Sequence, residues 1–284
     1  MPPARSFHAR EAVAALRASR AERCDVAFDF QDLWKSAVWA RASGAPRVVG
    51  QAGARREPWS AILLGEIVDD DDAVHVIDRN LALLRAVGID EVGTREFPLP
   101  APPAMATAGA ALDAVGRSFA ILNPGGGWAS KLWPPEHHGA LARSLAQDGL
   151  TSLVTWGPGE QSLADRVVAA SGGIAVRCPP TTLLDYVELA RRARVVVGAD
   201  TGPLHLACAV GTPVVALFGP TDPARNGPFS AEDVVVRRPP PCAPCHRRRC
   251  PRHEGVMAAI TVEEVAAAVE RRLGRTRAPA AGAL

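Results

Sequence analysis

Three short stretches of this 284-residue chain carry residue types and spacings suited to holding a phosphate-bearing ligand. The first, Asn123-Pro124-Gly125-Gly126-Gly127-Trp128, follows an apolar run and leads into Ser130 and Lys131. Glycines without Cβ atoms let backbone amides approach an anion, and Ser130 and Lys131 add a hydroxyl and an ammonium. The spacing is that of neither a Walker loop nor a dinucleotide fingerprint, and by itself a Gly-rich turn is equally just a turn.

The second stretch, Val195-Val196-Val197-Gly198-Ala199-Asp200-Thr201-Gly202-Pro203-Leu204-His205, runs from a buried strand through a polar turn into a helix opened by Pro203. The free amides and dipole of such a helix start favour phosphate. Asp200 or Thr201 is equally suited to capping that helix, and the two uses are compatible. His205 falls in the first turn, where it serves either packing or the pocket. The third stretch, Phe218-Gly219-Pro220-Thr221-Asp222-Pro223, is a rigid two-proline turn followed by Arg225 and Asn226.

These turns need strands to carry them. Apolar runs at 119–122, 150–156, 174–177, 195–198, 213–218 and 234–237 alternate with helical patterns at 135–147, 161–170, 183–192, 204–210 and 262–273. That alternation predicts a doubly wound parallel sheet, whose ligands bind outside the carboxyl ends of the strands. Before it, strands are expected at 24–30 and 47–50, with helices at 9–20, 32–42, 59–65 and 75–87. The carboxylate run at 69–72 reads as a solvated loop, and the proline-rich stretch 97–105 as a linker. The expected division is therefore 1–98 and 99–284.

Composition narrows the class. The chain is 48% hydrophobic and 22% charged, as soluble globular proteins are, and a net charge of +2 gives no argument for nucleic-acid binding. No apolar run reaches the roughly 20 residues a membrane span needs, and the start lacks a signal-peptide core. Six cysteines, three of them scattered singly, do not form a secreted framework, so the expected location is cytoplasmic. Of 32 basic residues only Lys35 and Lys131 are lysines, which marks them as candidate sites where a compact ammonium is needed. Arginines cluster at Arg247, Arg248 and Arg249.

Taken together, Asp200-Thr201-Gly202-Pro203-Leu204-His205-Leu206-Ala207 and the following 211–223 stretch closely resemble the signature of the ADP-heptose:lipopolysaccharide heptosyltransferases, glycosyltransferase family 9. The 123–136 stretch is similar to that family's other donor motif, and 28–37 to its acceptor-side strand and helix. The resemblance implies an α/β fold of two Rossmann-like domains of the GT-B type, with 1–98 a partial acceptor-binding domain and 99–284 the donor-binding domain. It implies inverting transfer of heptose from ADP-heptose to a lipid-linked core oligosaccharide, without a cofactor, at the inner face of the inner membrane. Donor contacts would come from Gly126, Gly127, Ser130, Lys131, Glu160, Asp200, Thr201, Gly202, Pro203, Leu204 and His205. Lys131 would meet the leaving-group charge, and Gln31 and Lys35 would face the acceptor.

The sequence departs from the family in one respect. Members open with a strand and a Gly-Asp turn that supplies the general base, and this chain has no segment matching it. Asp25 and Asp29 do not match that position, so no base is identifiable. The amino-terminal domain is expected to be incomplete, and a degenerate member that binds the nucleotide without turnover is the alternative. Finally, Cys242, Cys245 and Cys250, with His246 or His253, have spacing compatible with zinc. The family's fourth cysteine is missing near Met257, so structural loop cysteines are preferred to a metal site.

Overall fold

Short apolar runs that cannot bury themselves singly line up as two separate parallel sheets. The computed structural model describes residues 9–52, 57–69, 73–90, 96–100, 106–245, 247–251 and 255–274. The chain divides into two compact units, Met1–Arg95 and Glu96–Leu284.

The first unit contains helix α1 (Ala9–Ala21), strand β1 (Val26–Asp29), α2 (Trp34–Ala42), β2 (Arg47–Gln51), β3 (Glu66–Val68) and α3 (Val76–Ala82). Its sheet has the order β1-β2-β3, all parallel. Three residues make β3 too short for periodicity to signal, and it was not expected. The stretch expected as a helix at 59–65 is a 3₁₀ turn over Pro58–Leu63, and the one at 75–87 is α3 followed by a 3₁₀ turn over Leu83–Val87. Three of the four carboxylates at 69–72 and residues 101–105 of the expected linker lie outside the described residues.

The second unit opens with α4 (Ala106–Val115), a helix the sequence pattern missed because five of its ten residues are alanine and mark no apolar stripe. Then come β4 (Phe119–Asn123), α5 (Pro135–Gln147), β5 (Thr151–Val154), α6 (Gln161–Ala170), β6 (Val176–Arg177), α7 (Leu183–Arg192), β7 (Val195–Ala199), α8 (Gly202–Ala209), β8 (Val214–Phe218), α9 (Pro223–Asn226), β9 (Val234–Arg237) and α10 (Val262–Arg272). The sheet order is β6-β5-β4-β7-β8-β9, parallel throughout.

Alternation along the strands divides the core between the two faces. Ala120 and Leu122 of β4 pack with Leu141, Val167 and Val269 on one side, and Phe119 and Ile121 pack with Tyr186, Leu189 and Ala207 on the other. Burial on both faces is why these strands read as unbroken apolar runs. His138 of α5 is buried against Trp133, and burial with the neighbouring His137 pushes its pKa down to about 3, so it packs as a neutral ring. Trp133 in turn donates from Nε1 to the Ile260 carbonyl at 2.9 Å, pinning the segment after the Gly-rich turn to the approach of α10. No helix among the described residues is long and apolar enough to cross a membrane.

Strand order reverses between β4 and β7, and their ends are in register with Asn123 opposite Gly198. The turns after β4, β5, β7 and β8 therefore converge on one edge of the sheet, the crevice where open α/β sheets take ligands.

Candidate functional site

The Gly-rich turn after β4 is shaped by what it must let in. A Cβ at Gly125 would sit 2.0 Å from Glu160 Oε2, and one at Gly126 would sit 2.6 Å from Thr201 Cγ2. A Cβ at Gly127 would meet nothing within 4 Å. Two of the three glycines thus serve close approach of other turns. The Glu160 carboxylate accepts from the Gly126 amide at 2.8 Å and the Gly157 amide at 2.9 Å, tying the turn after β4 to the one after β5. The Gly126 amide, expected to point at an anion, is held by a protein carboxylate.

This gives a graded prediction. Gly125→Ala forces Glu160 off both amides, each such charge-assisted bond being worth about 1.5–3 kcal/mol, and if the turn holds the ADP that the resemblance implies, affinity for it should fall at least roughly tenfold. Gly127→Ala should leave it within about twofold, because the added methyl enters open space. Titration calorimetry of the two variants checks the difference; equal losses would refute the packing role.

The second turn leaves a helix start uncapped. Thr201 is extended (φ −143°, ψ 165°) at the N-cap of α8, but its side chain makes no capping bond. It donates instead to the Ala199 carbonyl at 3.2 Å. Asp200 does not cap either, so the sequence alternative of a simple capping role falls for both residues. Pro203 has no N–H, which leaves the Gly202 and Leu204 amides as the donors of the first turn. The Leu204 side chain is buried in the core, so only its backbone can reach a ligand. The Tyr186 hydroxyl donates to the Pro203 carbonyl at 2.9 Å, and burial pushes its pKa well up, keeping it a donor. Between this helix start and the Gly-rich turn lies a cavity of about 480 Å³. Gly126, Gly127, Glu160, Thr201, Gly202 and Pro203 line it, with Trp156, Leu183 and Tyr186 as an apolar wall.

Lys131, Asp200 and His205 form a polar cluster beside that cavity. Lys131 Nζ lies 2.5 Å from Asp200 Oδ2 and 3.1 Å from the Asp200 carbonyl, and 4.5 Å above the Trp128 ring. Asp200 also accepts from Thr221 Oγ1 at 2.9 Å and from the Asn226 amide, and His205 Nε2 lies 3.2 Å from Oδ1. Burial by itself would raise the Asp200 pKa. The hydrogen bonds from His205, Lys131 and Thr221 and the Lys131 charge outweigh it and hold the carboxyl down at about 2. With its side chain only 3% exposed, Asp200 is an internal anchor for four donors. Thr221 and Asn226 were not expected as partners. Their signal was the Thr-Asp-Pro turn at the end of the adjacent strand β8.

Ser130 is turned away from the cavity. Its hydroxyl donates to the Arg247 carbonyl at 2.9 Å and its amide to the Arg248 carbonyl at 3.3 Å. The expected phosphate hydroxyl is in fact a tether for the arginine loop. Gln31 and Lys35, in the first unit, line a groove of about 870 Å³ with Phe28, Phe30 and Trp34; the Gln31 backbone N–H donates to Asp29 Oδ1 at 3.0 Å. Cys242, Cys245 and Cys250 form no disulfide with one another. Among the described residues no group of three or more His, Cys, Asp or Glu side chains could hold a metal, and His246 and His253 lie outside those residues.

Comparison with known proteins follows the same lines. Residues 13–255 match the model of the family described as glycosyltransferase family 9 (heptosyltransferase). The chain is 28% identical over 233 residues to lipopolysaccharide heptosyltransferase 1 of Pseudomonas aeruginosa, covering 80% of this chain and 63% of that protein. It is 26% identical over 283 residues to lipopolysaccharide heptosyltransferase 3 of Escherichia coli K12, covering 93% and 78%. Its fold is similar to that of the E. coli heptosyltransferase WaaC with ADP, with TM-score 0.71 at 22% identity over 94% of this chain and 80% of that one. The chain thus spans just under two thirds of the first of these relatives.

Proposed function

Because the chain belongs to glycosyltransferase family 9, we propose that it moves heptose from ADP-heptose to a hydroxyl of the lipopolysaccharide inner core, with inversion at the anomeric carbon. The cavity between the uncapped start of α8 and the Gly-rich turn carries this reading, because it pairs amide donors for a phosphate with an apolar wall for a flat base. In this reading residues 99–284 form the donor-binding domain and 1–98 part of the acceptor-binding domain.

The donor diphosphate would lie over Gly202 and the Leu204 amide, with the nucleoside toward Trp156, Leu183 and Glu160. Lys131 would act on the leaving group. An ammonium has three N–H donors, and two are engaged by the Asp200 carboxylate and carbonyl. The third is available to a phosphate oxygen as the bond from the anomeric carbon to that oxygen breaks and ADP departs with the electron pair. The acceptor hydroxyl forms the new bond from the opposite face; the base that takes its proton is not assigned to any described residue. Gln31 and Lys35 would face the acceptor, which is lipid-linked and presented at the inner face of the inner membrane.

The test is transfer from ADP-heptose to deacylated core acceptor, followed by mass spectrometry, alongside calorimetry with ADP. A heptose-sized mass gain is expected. ADP binding without any gain would replace this reading with a nucleotide-binding member lacking turnover, and absence of both would remove the donor assignment as well.

A further inference from the structure

The donor reading does not use the most strongly charged feature of the surface. Arg247, Arg248 and Arg249 are consecutive and all exposed. Among the described residues no carboxylate pairs with any of them. Four acidic side chains of the flanking segments are already engaged: Asp222 with Arg237, Glu264 with Arg238, and Glu232 and Asp233 with Arg272; Glu254 lies outside the described residues. Among the described residues, three cations therefore stand together without a counter-ion, an arrangement that favours a source of added negative charge.

The loop is also held in place. Ser130, itself buried, gives both its hydroxyl and its amide to the carbonyls of Arg247 and Arg248, and the Cys245 amide donates to the Pro220 carbonyl at 2.7 Å. Ser130 directly precedes Lys131, and Pro220 directly precedes Thr221. The arginines are thus fixed to the two turns that close around Asp200, with Pro239, Pro240, Pro241 and Pro244 restricting the approach. With the backbone of the loop already held, meeting a charged surface costs side-chain freedom but little backbone freedom.

A single phosphate is held by donors that converge in a partly enclosed site, as at the start of α8. Guanidinium groups lying side by side in solvent answer to an extended field of negative charge, such as the headgroups of a bilayer. The function proposed above needs the donor pocket to be brought to a lipid-linked acceptor. We propose that the Arg247–Arg248–Arg249 loop docks the protein onto an anionic phospholipid surface, presenting the edge of the second unit that carries the donor turns. The motive for a lipid surface rests on the acceptor reading; the charge arrangement stands without it.

The test is co-sedimentation of the full chain with vesicles of phosphatidylcholine, alone or mixed with phosphatidylglycerol, at low salt. Binding to the mixed vesicles only, abolished by high salt, is expected. At about 1 kcal/mol per arginine near the surface, R247Q/R248Q/R249Q should lower the partition coefficient roughly 100-fold, while R247K/R248K/R249K should stay within about threefold of the parent. ADP affinity should be unchanged in both variants. Equal partitioning of the glutamine variant, or no binding by the parent chain, would overturn the proposal. So would displacement from the vesicles by low concentrations of inorganic phosphate, which would mark a discrete anion site, or loss of ADP affinity in the glutamine variant. Failure to bind ADP in the parent chain, with vesicle binding intact, would instead count against the donor reading alone.

Discussion

Lys131→Ala is expected to slow heptose transfer roughly 150- to 1,000-fold, the loss of about 3–4 kcal/mol of transition-state stabilisation that removal of one preorganised charged donor brings. The effect should fall on kcat more than on ADP affinity, because charge on the bridging oxygen develops only as the bond to the sugar breaks. The geometry also predicts that arginine does not rescue. Lys131 Nζ sits over the Trp128 ring and inside the reach of both the carboxylate and the carbonyl of Asp200, a place for a compact cation. A planar fork at the same position would displace one of these partners. Single-turnover kinetics with both variants checks this. A Lys131→Ala rate within tenfold of the parent would rule the lysine out as the leaving-group stabiliser.

The second large effect belongs to Asp200, and it is first an effect on stability. Asp200→Asn exchanges an acceptor oxygen for an amide in a site already supplied with four donors, and leaves the mostly buried Lys131 ammonium without its counter-charge. Breaking such a pair by removing one partner costs about 3–5 kcal/mol, so the melting temperature should fall on the order of 10 °C.

The pH dependence separates this from a simple packing loss. The folded carboxyl titrates at about 2 against an ordinary 3.8. The associated stabilisation, about 2 kcal/mol, is therefore complete above the ordinary value and disappears as the pH falls through the folded one. The gap in stability between parent and variant should be widest above pH 4 and should narrow steadily toward about pH 2. Denaturant melts across that range check it. A gap that stays constant with pH would mean that the carboxylate's charge contributes nothing there.

How much of this was legible beforehand depended on whether a residue's signal was local. Helices α5, α6 and α7 match their expected bounds to the residue, because each is framed by its own stop signals and carries a clear amphipathic pattern. Helix α4 lacked that pattern, and β3 lacked length. In the site, the helix start over Thr201, Gly202 and Pro203 was legible because a helix start after a buried strand is a property of consecutive residues. The roles of Asp200 and Ser130 were not. Each is decided by partners far along the chain, Asn226 and Thr221 for one and Arg247 for the other, and no spacing rule brings those together before the sheet order is known. The same holds for Gly125 and Gly126, whose need to be glycine comes from Glu160 and Thr201 arriving across the crevice.

Every residue that lines the nucleotide-sized cavity, and every member of the Asp200 cluster, belongs to the second unit. The consequence is one of inheritance. Mutations accumulating in the first ninety-odd residues leave these contacts untouched, so on the division of roles proposed above a lineage could exchange one sugar-bearing partner for another without relearning how to hold the activated donor. The reverse route is far narrower, since a single methyl group added at Gly125 or Gly126 collides with a neighbouring turn. Relatives that diverge in what they modify are therefore expected to differ most before residue 96 and least around positions 123–131 and 198–205.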